Sequence, residues 1–277
     1  MSEFKGKLIY EPKGRAREYA KLAVNVYVGC EHGCVYCYAP SVMRRERNDF
    51  LQVGMRAGEF LSNLAKEAAR YKDEGVTDQV LLSFVCDPYQ PFDAQIGMTR
   101  KVIEVLKGNG LHFTVLTKAG SRALRDLDLY ENGDAFGTTL TWLDEGLSLE
   151  WEPGAALPQD RIETISRFHE AGINTWVSLE PVLNPQVALK IIMDTFDIVD
   201  LYKIGKLNVR FYVAPEFQLE IVDREHSIDW ALFRKEAVAL LHTLNYRRNF
   251  DCDDAASASR TDKQFYIKSD LANLPDK

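Results

Sequence analysis

The run CEHGCVYCYAP brings Cys30, Cys34 and Cys37 together at C-x3-C-x2-C spacing. Three thiolates this close can hold three irons of a cubane iron–sulfur cluster, and no fourth cysteine lies nearby in the sequence to hold the last. An iron left open is a place to bind and reduce another molecule. The same residues have blander uses, as small buried hydrophobes, as part of a disulfide set or as a zinc site. A disulfide framework fits poorly with 277 residues, no export signal and an odd total of five cysteines. Zinc would need a fourth ligand. His32 is the nearby candidate, yet a ligand between Cys30 and Cys34 would strain a tight loop, and structural zinc usually pairs two separated C-x2-C hooks.

Something must hold these thiols. A strand-like stretch at 22–28 leads directly into them. Downstream the pattern alternates. Residues 58–71 read as a helix, with Phe60, Leu61, Leu64, Ala65 and Ala68 on one face, and 79–84 as a buried strand. Thr99 is placed to cap a helix through Leu106 that Gly108-Asn109-Gly110 ends. Residues 113–116 form a third strand, 121–130 a short helix and 136–142 a fourth strand. Asp160 is placed to cap a helix to Ala171, followed by a strand at 175–179, a helix at 186–196 and a strand at 199–204. Six strands alternating with helices predict a parallel sheet with right-handed crossovers, although the pattern alone does not separate an open sheet from a partial barrel.

After Gly205 the pattern changes. Residues 211–222 look extended, 228–244 form an amphipathic helix, 251–261 a polar loop that holds Cys252, and 265–267 a possible added strand. The expected organisation is a barrel over 1–208, with 209–277 as a C-terminal helical and extended flank or lid.

The ends of the other strands carry polar groups. They are Cys86-Asp87-Pro88, Thr117-Lys118, Thr138 to Thr141 with Asp144 and Glu152-Pro153-Gly154-Ala155 beyond, Glu180-Pro181, and Lys206 in KIGKLN. In a parallel barrel, chemistry sits in the loops at these C-terminal strand ends.

C-x3-C-x2-C after a first strand resembles the signature of the radical S-adenosylmethionine (SAM) enzymes. The pieces DPYQPFD, TK before RDLDL, LTWLDE, EPGA and KIGKLN are similar to the branch related to spore photoproduct lyase, over 26–208. The resemblance implies an α/β fold, a six-stranded partial (β/α)6 barrel of TIM type. It implies a [4Fe-4S] cluster on Cys30, Cys34 and Cys37, whose open iron chelates SAM and cleaves it to a 5′-deoxyadenosyl radical. It puts Tyr36 near the adenine, Asp87 at the methionine amino group, Lys118 at the carboxylate or ribose side, and Thr139 facing the cofactor. Glu180 and Lys206 would orient bound groups or pair with each other. Cys86 resembles the lyase cysteine that returns hydrogen to the product radical, offset by one position, and Tyr36 and Tyr38 resemble tyrosines that relay the radical there. A nucleobase or nucleotide in nucleic acid, for repair or modification, is the substrate class the branch implies. A peptide, protein side chain or free metabolite stays open, and so does a non-catalytic electron-transfer or sensor protein. A flavodoxin- or ferredoxin-type reductant is the implied partner.

Composition sets bounds on these expectations. A net charge of −7 weakens broad nucleic-acid affinity. Arg44, Arg45, Arg47 and Arg56 beside the cysteines, with Arg247, Arg248, Arg260, Lys263 and Lys268 near the end, leave a local basic patch open, against the plainer reading of solvated faces. No apolar run approaches the roughly 18 residues of a membrane span, and free cysteines without an export signal imply a reducing cytoplasm.

Overall fold

The computed structural model describes residues 7–56, 58–207, 213–250 and 263–273, with 246–250 described by their backbone alone. The expected loop at 251–261, Cys252, Asn208, Arg260 and the side chains of Arg247 and Arg248 lie outside the described residues. The boundary expected at 208/209 falls there too.

The strands are β1 (Leu22–Val24), β2 (Tyr27–Val28), β3 (Gly54–Met55), β4 (Val80–Leu82), β5 (Phe113–Thr117), β6 (Ala135–Thr139), β7 (Asn174–Leu179), β8 (Leu201–Ile204) and β9 (Gln264–Ile267). Seven of them form one parallel sheet in the order β1-β4-β5-β6-β7-β8-β9. β2 and β3 pair separately as an antiparallel ribbon. The sheet therefore has one strand more than the expected six. The short run Phe265-Tyr266-Ile267 is joined to β8, so the C-terminal segment extends the sheet.

The helices cover the outside of the sheet because their apolar stripes match its spacing. Phe60, Leu64, Ala68 and Tyr71 are the buried face of the helix Phe60–Asp73, and Val102, Ile103 and Leu106 that of Met98–Gly108. A second apolar group lies on the opposite face of the sheet, where Ala23, Leu81, Ala135 and Trp176 meet Tyr19 and Leu116. Inward and outward side chains alternate along the strands, so one short strand serves both layers.

Several local expectations are corrected. The stretch 22–28 is split, because the Asn25 side-chain carbonyl accepts the Phe84 and Val85 N–H groups (2.8 and 3.1 Å) and ends the ladder there. Thr99 does not cap its helix. The helix starts at Met98 after left-handed Gly97, and the Thr99 N–H donates to Asp93 (2.9 Å). Asp160 lies inside the helix Pro158–Glu170, where proline opens the first turn, and its carboxylate accepts from Ser121. The 121–130 segment is a 3-10 helix, Gly120–Leu129. The part of 211–222 that is described is not extended: Pro215–Phe217 is a 3-10 turn leading into the helix Gln218–Ser227. Proline sets the entry, Ile221 is buried, and Arg224 pairs with Glu220 one turn back (2.5 Å).

Candidate active site

The three cysteines occupy the loop after β2, and that loop is fixed mainly through its backbone. The Cys30 N–H donates to Phe50 O (2.9 Å), Val35 N–H to Trp151 O (3.0 Å) and Gly154 N–H to His32 O (2.9 Å). The Glu31 N–H donates to the Gln90 side chain (2.8 Å). Arg47 donates to the carbonyls of both Cys34 (3.3 Å) and Cys37 (3.0 Å). Two glycines permit the close approaches. Gly29 has φ +90°, and a Cβ there would lie 2.6 Å from Phe50 O; at Gly154 a Cβ would lie 2.3 Å from Glu31 O. The EPGA segment thus braces the cysteine loop, a role its sequence did not reveal.

A cavity of about 280 Å³ lies at the C-terminal strand ends. Cys30, Cys34, Cys37, Tyr36 and Tyr38 line it from the loop, Cys86 and Asp87 from the end of β4, Lys118 from β5, Thr139 from β6 and Glu180 from β7. These ten residues, all expected at the site from sequence, thus share one cavity. Lys206 is not among its lining residues: its ammonium lies over the Trp230 ring, 4.7 Å from the centroid.

Around Cys34 lies a buried charged network. Arg161 and Glu152 pair at 2.6 Å, each almost inaccessible to solvent. Arg161 also donates to Ala156 O and Thr139 O (2.7 and 3.0 Å). The Tyr36 hydroxyl donates to Glu152, and the Lys118 ammonium lies 5.6 Å from the Tyr36 ring centroid. Burial alone would raise the Glu152 carboxyl, but Arg161 and Lys118 outweigh it and hold it below the usual carboxylate range. Burial likewise opposes charge on Lys118, and the nearby Cys34 and Glu152 charges more than compensate.

Asp87 is a hub. Its carboxylate accepts from the Tyr89 N–H (2.9 Å), the Thr117 hydroxyl (2.6 Å) and the Lys118 N–H (2.7 Å), and sits 3.3 Å from His32 Nδ1. Burial lowers the His32 pKa to about 4, so the ring is neutral near pH 7. Arg122 donates to its Nε2 (3.1 Å), which leaves the proton on Nδ1, toward Asp87. His32 is therefore committed away from the thiols and does not complete a zinc site.

The opposite wall contains Glu180, whose carboxylate accepts from the Tyr19 hydroxyl and from Lys268 (2.7 Å) and lies 3.6 Å from Arg15. The expected pairing with Lys206 is replaced by one with Lys268, because β9 delivers that lysine beside the end of β7. Tyr19 and Arg161 were missed from sequence; Glu152 was noted only within EPGA and Lys268 only as part of a possible basic patch, and neither pairing was foreseen. Neither Tyr19 nor Arg161 sits in a motif of its own.

Other polar groups at strand ends serve the scaffold. Asp144 caps the helix Glu145–Trp151 by accepting from Leu147 N–H (2.8 Å). Asp93 accepts from Tyr27, Arg125 and the Thr99 N–H.

Cys30, Cys34 and Cys37 are free thiols, and their sulfurs do not all lie within 4.8 Å of one another. A tetrahedral zinc with bonds of about 2.3 Å would draw its sulfurs to about 3.8 Å. A multi-iron cluster takes its thiolates from a wider spread than a single zinc does, and three thiols are the donor set present here.

The Radical SAM superfamily profile matches residues 24–198, well over half the chain. The chain belongs to the radical SAM superfamily. Curated relatives include an uncharacterized protein of Methanocaldococcus jannaschii, 24% identical over 194 residues, covering 69% of this chain and 72% of that protein. An uncharacterized protein of Mycobacterium bovis is 30% identical over 177 residues, covering 60% of this chain and 51% of its own length.

Among solved structures, a spore photoproduct lyase with bound AdoMet and dinucleoside spore photoproduct superposes with a TM-score of 0.58 at 14% identity, covering 76% of this chain and 62% of that one. Streptococcus suis SuiB bound to S-adenosylmethionine gives 0.58 at 14% identity, covering 89% and 49%. The chain thus spans about half the length of SuiB and of the mycobacterial relative. At this identity the likeness establishes the radical SAM partial-barrel fold. The radical SAM cofactors, a [4Fe-4S] cluster and SAM, suit the three-thiol cavity found here.

Two points bear on location and charge. Among the described residues no helix is long and apolar enough to cross a membrane. The basic residues near the C-terminus that are described turn inward: Lys263 pairs with Asp200 (2.8 Å) and Lys268 with Glu180, both buried. They do not extend a basic surface.

Proposed function

We propose that this radical SAM protein abstracts hydrogen from a nucleobase or nucleotide within a nucleic acid, and that the Cys86 thiol returns a hydrogen atom to the product radical. With both cofactors bound, the site supplies a 5′-deoxyadenosyl radical. The chain's own residues hold, orient and shield the reactants. Cys30, Cys34 and Cys37 would hold the cluster. Asp87 and Lys118 present a carboxylate and an ammonium in the wall of the cavity that the cysteines share, as needed for the amino and carboxylate groups of SAM. Tyr36 and Thr139 would line the adenosyl side, and Glu180 the far wall.

The observation that carries the reading is a fourth thiol in the same cavity. Cys86 is buried beside Tyr27, whose N–H donates to its sulfur (3.4 Å). Burial pushes the Cys86 thiol up, so it keeps the proton that a hydrogen-atom donor must carry. When its S–H bond breaks, the product radical gains a C–H bond and the sulfur keeps the unpaired electron. Tyr38, buried within electrostatic reach of Cys37, Glu180 and Cys86, is the side chain through which that radical can pass on. The motif likeness to the spore photoproduct lyase branch supports a nucleobase as the substrate.

The test is anaerobic turnover of the reconstituted protein with a panel of deuterated oligonucleotides, peptides and nucleosides. Deuterium appearing in 5′-deoxyadenosine from oligonucleotides supports the reading, and transfer only from a peptide or free metabolite overturns its substrate class. In Cys86→Ala, SAM cleavage should persist while the normal product gives way to radical side products. An unchanged product would remove Cys86 from the mechanism.

A further inference from the structure

The Cys86 thiol lies beyond the end of its strand. β4 stops at Leu82, opposite Val24 of β1, and regular pairing of the two strands ends there. Side chains carry the contact onward. Asn25 Oδ1 accepts the N–H groups of Phe84 (2.8 Å) and Val85 (3.1 Å), Ser83 Oγ accepts the Val26 N–H (3.3 Å), and Cys86 Sγ accepts the Tyr27 N–H (3.4 Å). Residues 25–27 therefore run alongside 83–86, joined through side-chain acceptors instead of backbone carbonyls. Asn25 takes two of these four N–H groups. It is buried, and its Nδ2 donates to the Tyr10 hydroxyl (2.9 Å), which fixes the carbonyl end of the amide toward 84 and 85. Tyr10 is pinned in turn, because its N–H and carbonyl pair with Ala23 (3.0 and 2.9 Å).

We infer that Asn25 is a positioning residue for hydrogen return, setting through the 84–86 backbone where the Cys86 sulfur meets the product radical. The inference rests on the reading of Cys86 as the hydrogen-atom donor. In that step the S–H bond breaks, a C–H bond forms on the product, and the sulfur keeps the unpaired electron. Sulfur and carbon must meet at a fixed close approach, and a displacement of about 1 Å can cost a positioned reaction about 100-fold. Among the described residues Asn25 does not line the cavity, so it acts through the chain and not on the substrate.

The effect is confined to one end of the site. The Asp87 carboxylate is held by Tyr89, Thr117 and Lys118, independently of Asn25. The cysteine loop is braced by Phe50, Trp151 and Arg47. Cys86 has the Tyr27 N–H on its sulfur and the chain on either side. An apolar residue at position 25 leaves the Phe84 and Val85 N–H groups without acceptors, in a segment where Val85 and Cys86 are buried. Such groups find new partners only if the backbone moves, and the thiol moves with it.

The experiment compares wild-type protein with Asn25→Leu, Asn25→Asp, Asn25→Gln and Cys86→Ala, reconstituted anaerobically and matched for iron content. Leucine removes the acceptor at nearly the same size. Aspartate keeps an oxygen for both N–H groups. Glutamine keeps the whole amide but carries it one methylene further, which displaces 84–86 without leaving it unbonded. Two quantities are read: 5′-deoxyadenosine formed per normal product, with the substrate that transfers deuterium, and the rate at which iodoacetamide alkylates Cys86, resolved by peptide mass spectrometry. SAM cleavage should stay within about twofold of wild type in the three Asn25 variants. The ratio of 5′-deoxyadenosine to product should rise about tenfold or more in Asn25→Leu and Asn25→Gln, with the side products of Cys86→Ala, and return close to wild type in Asn25→Asp. Cys86 alkylation should quicken in the first two and not in the third.

Wild-type ratios and alkylation rates in Asn25→Leu and Asn25→Gln would overturn the inference. So would equal losses in Asn25→Leu and Asn25→Asp with SAM cleavage falling in step, which would make Asn25 a part of the fold alone. If Asn25→Leu loads no iron, Asn25→Gln decides the matter on the same two readings. Normal product from Cys86→Ala would instead strike the hydrogen-donor reading beneath it.

Discussion

At Cys34, burial and charge act in opposite directions. Burial pushes the thiol up to about 12, the Lys118 ammonium draws it down, and the Glu152 carboxylate pushes it up again. Iron binding replaces the proton, and the surrounding cations Lys118 and Arg161 offset the thiolate charge. Cys34→Ala should therefore lose most of its iron and its broad visible absorbance after reconstitution, while the circular dichroism of the fold stays close to wild type. Retention of a full cluster would remove Cys34 from the ligand set. The Arg161–Glu152 pair lies just behind. Arg161→Met leaves a buried carboxylate without its cation and should cost about 3 to 5 kcal/mol in urea denaturation. A cost near zero would mean that Lys118 alone satisfies Glu152. The cysteines were legible in the sequence because their chemistry is local, three side chains within eight positions. The pairing of Glu152 with Arg161 was not, since only the folded chain shows that the end of one helix and the first turn of the next enclose the same space.

At the scale of elements, the site depends on how loops are clamped. Gly154→Ala puts a methyl group 2.3 Å from the Glu31 carbonyl, so the cysteine loop must shift. The variant should lose iron loading and unfold at lower urea than wild type, and a normal cluster content would show that the brace is dispensable. β9 is clamped differently. The Asp200 carbonyl accepts the Gln264 N–H (2.8 Å), and its carboxylate accepts from Lys263 and from the Thr175 N–H (2.8 Å each). Burial would raise that carboxyl, but these donors outweigh it and hold it below the usual carboxylate value. The resulting stability is fully present above the unfolded pKa of about 3.9 and is lost as pH falls through the lower folded value. Asp200→Asn should be less stable at pH 6 and should lose less stability than wild type between pH 5 and pH 3, by urea midpoints. Parallel midpoints across that range would contradict the role. Most strands were legible from their apolar runs and most helices from their stripes. The caps at Thr99 and Asp160 misled because a left-handed glycine and a proline started those helices nearby and left both polar groups free for other partners. The fate of 265–267 depended on an unpaired edge of β8, which no local pattern encodes.

Over the whole molecule, the parallel sheet gathers residues from the cysteine loop and the ends of β4, β5, β6 and β7 into one cavity, while β9 brings Lys268 against Glu180. All of this depends on one central claim, that three thiols and this cavity support reductive cleavage of SAM. The most direct measurement is anaerobic: reconstitute the cluster, reduce it with dithionite, add SAM and quantify 5′-deoxyadenosine, with Cys34→Ala alongside. The account predicts product from the wild-type protein and none from the variant. A full, reducible cluster that yields no 5′-deoxyadenosine would contradict it.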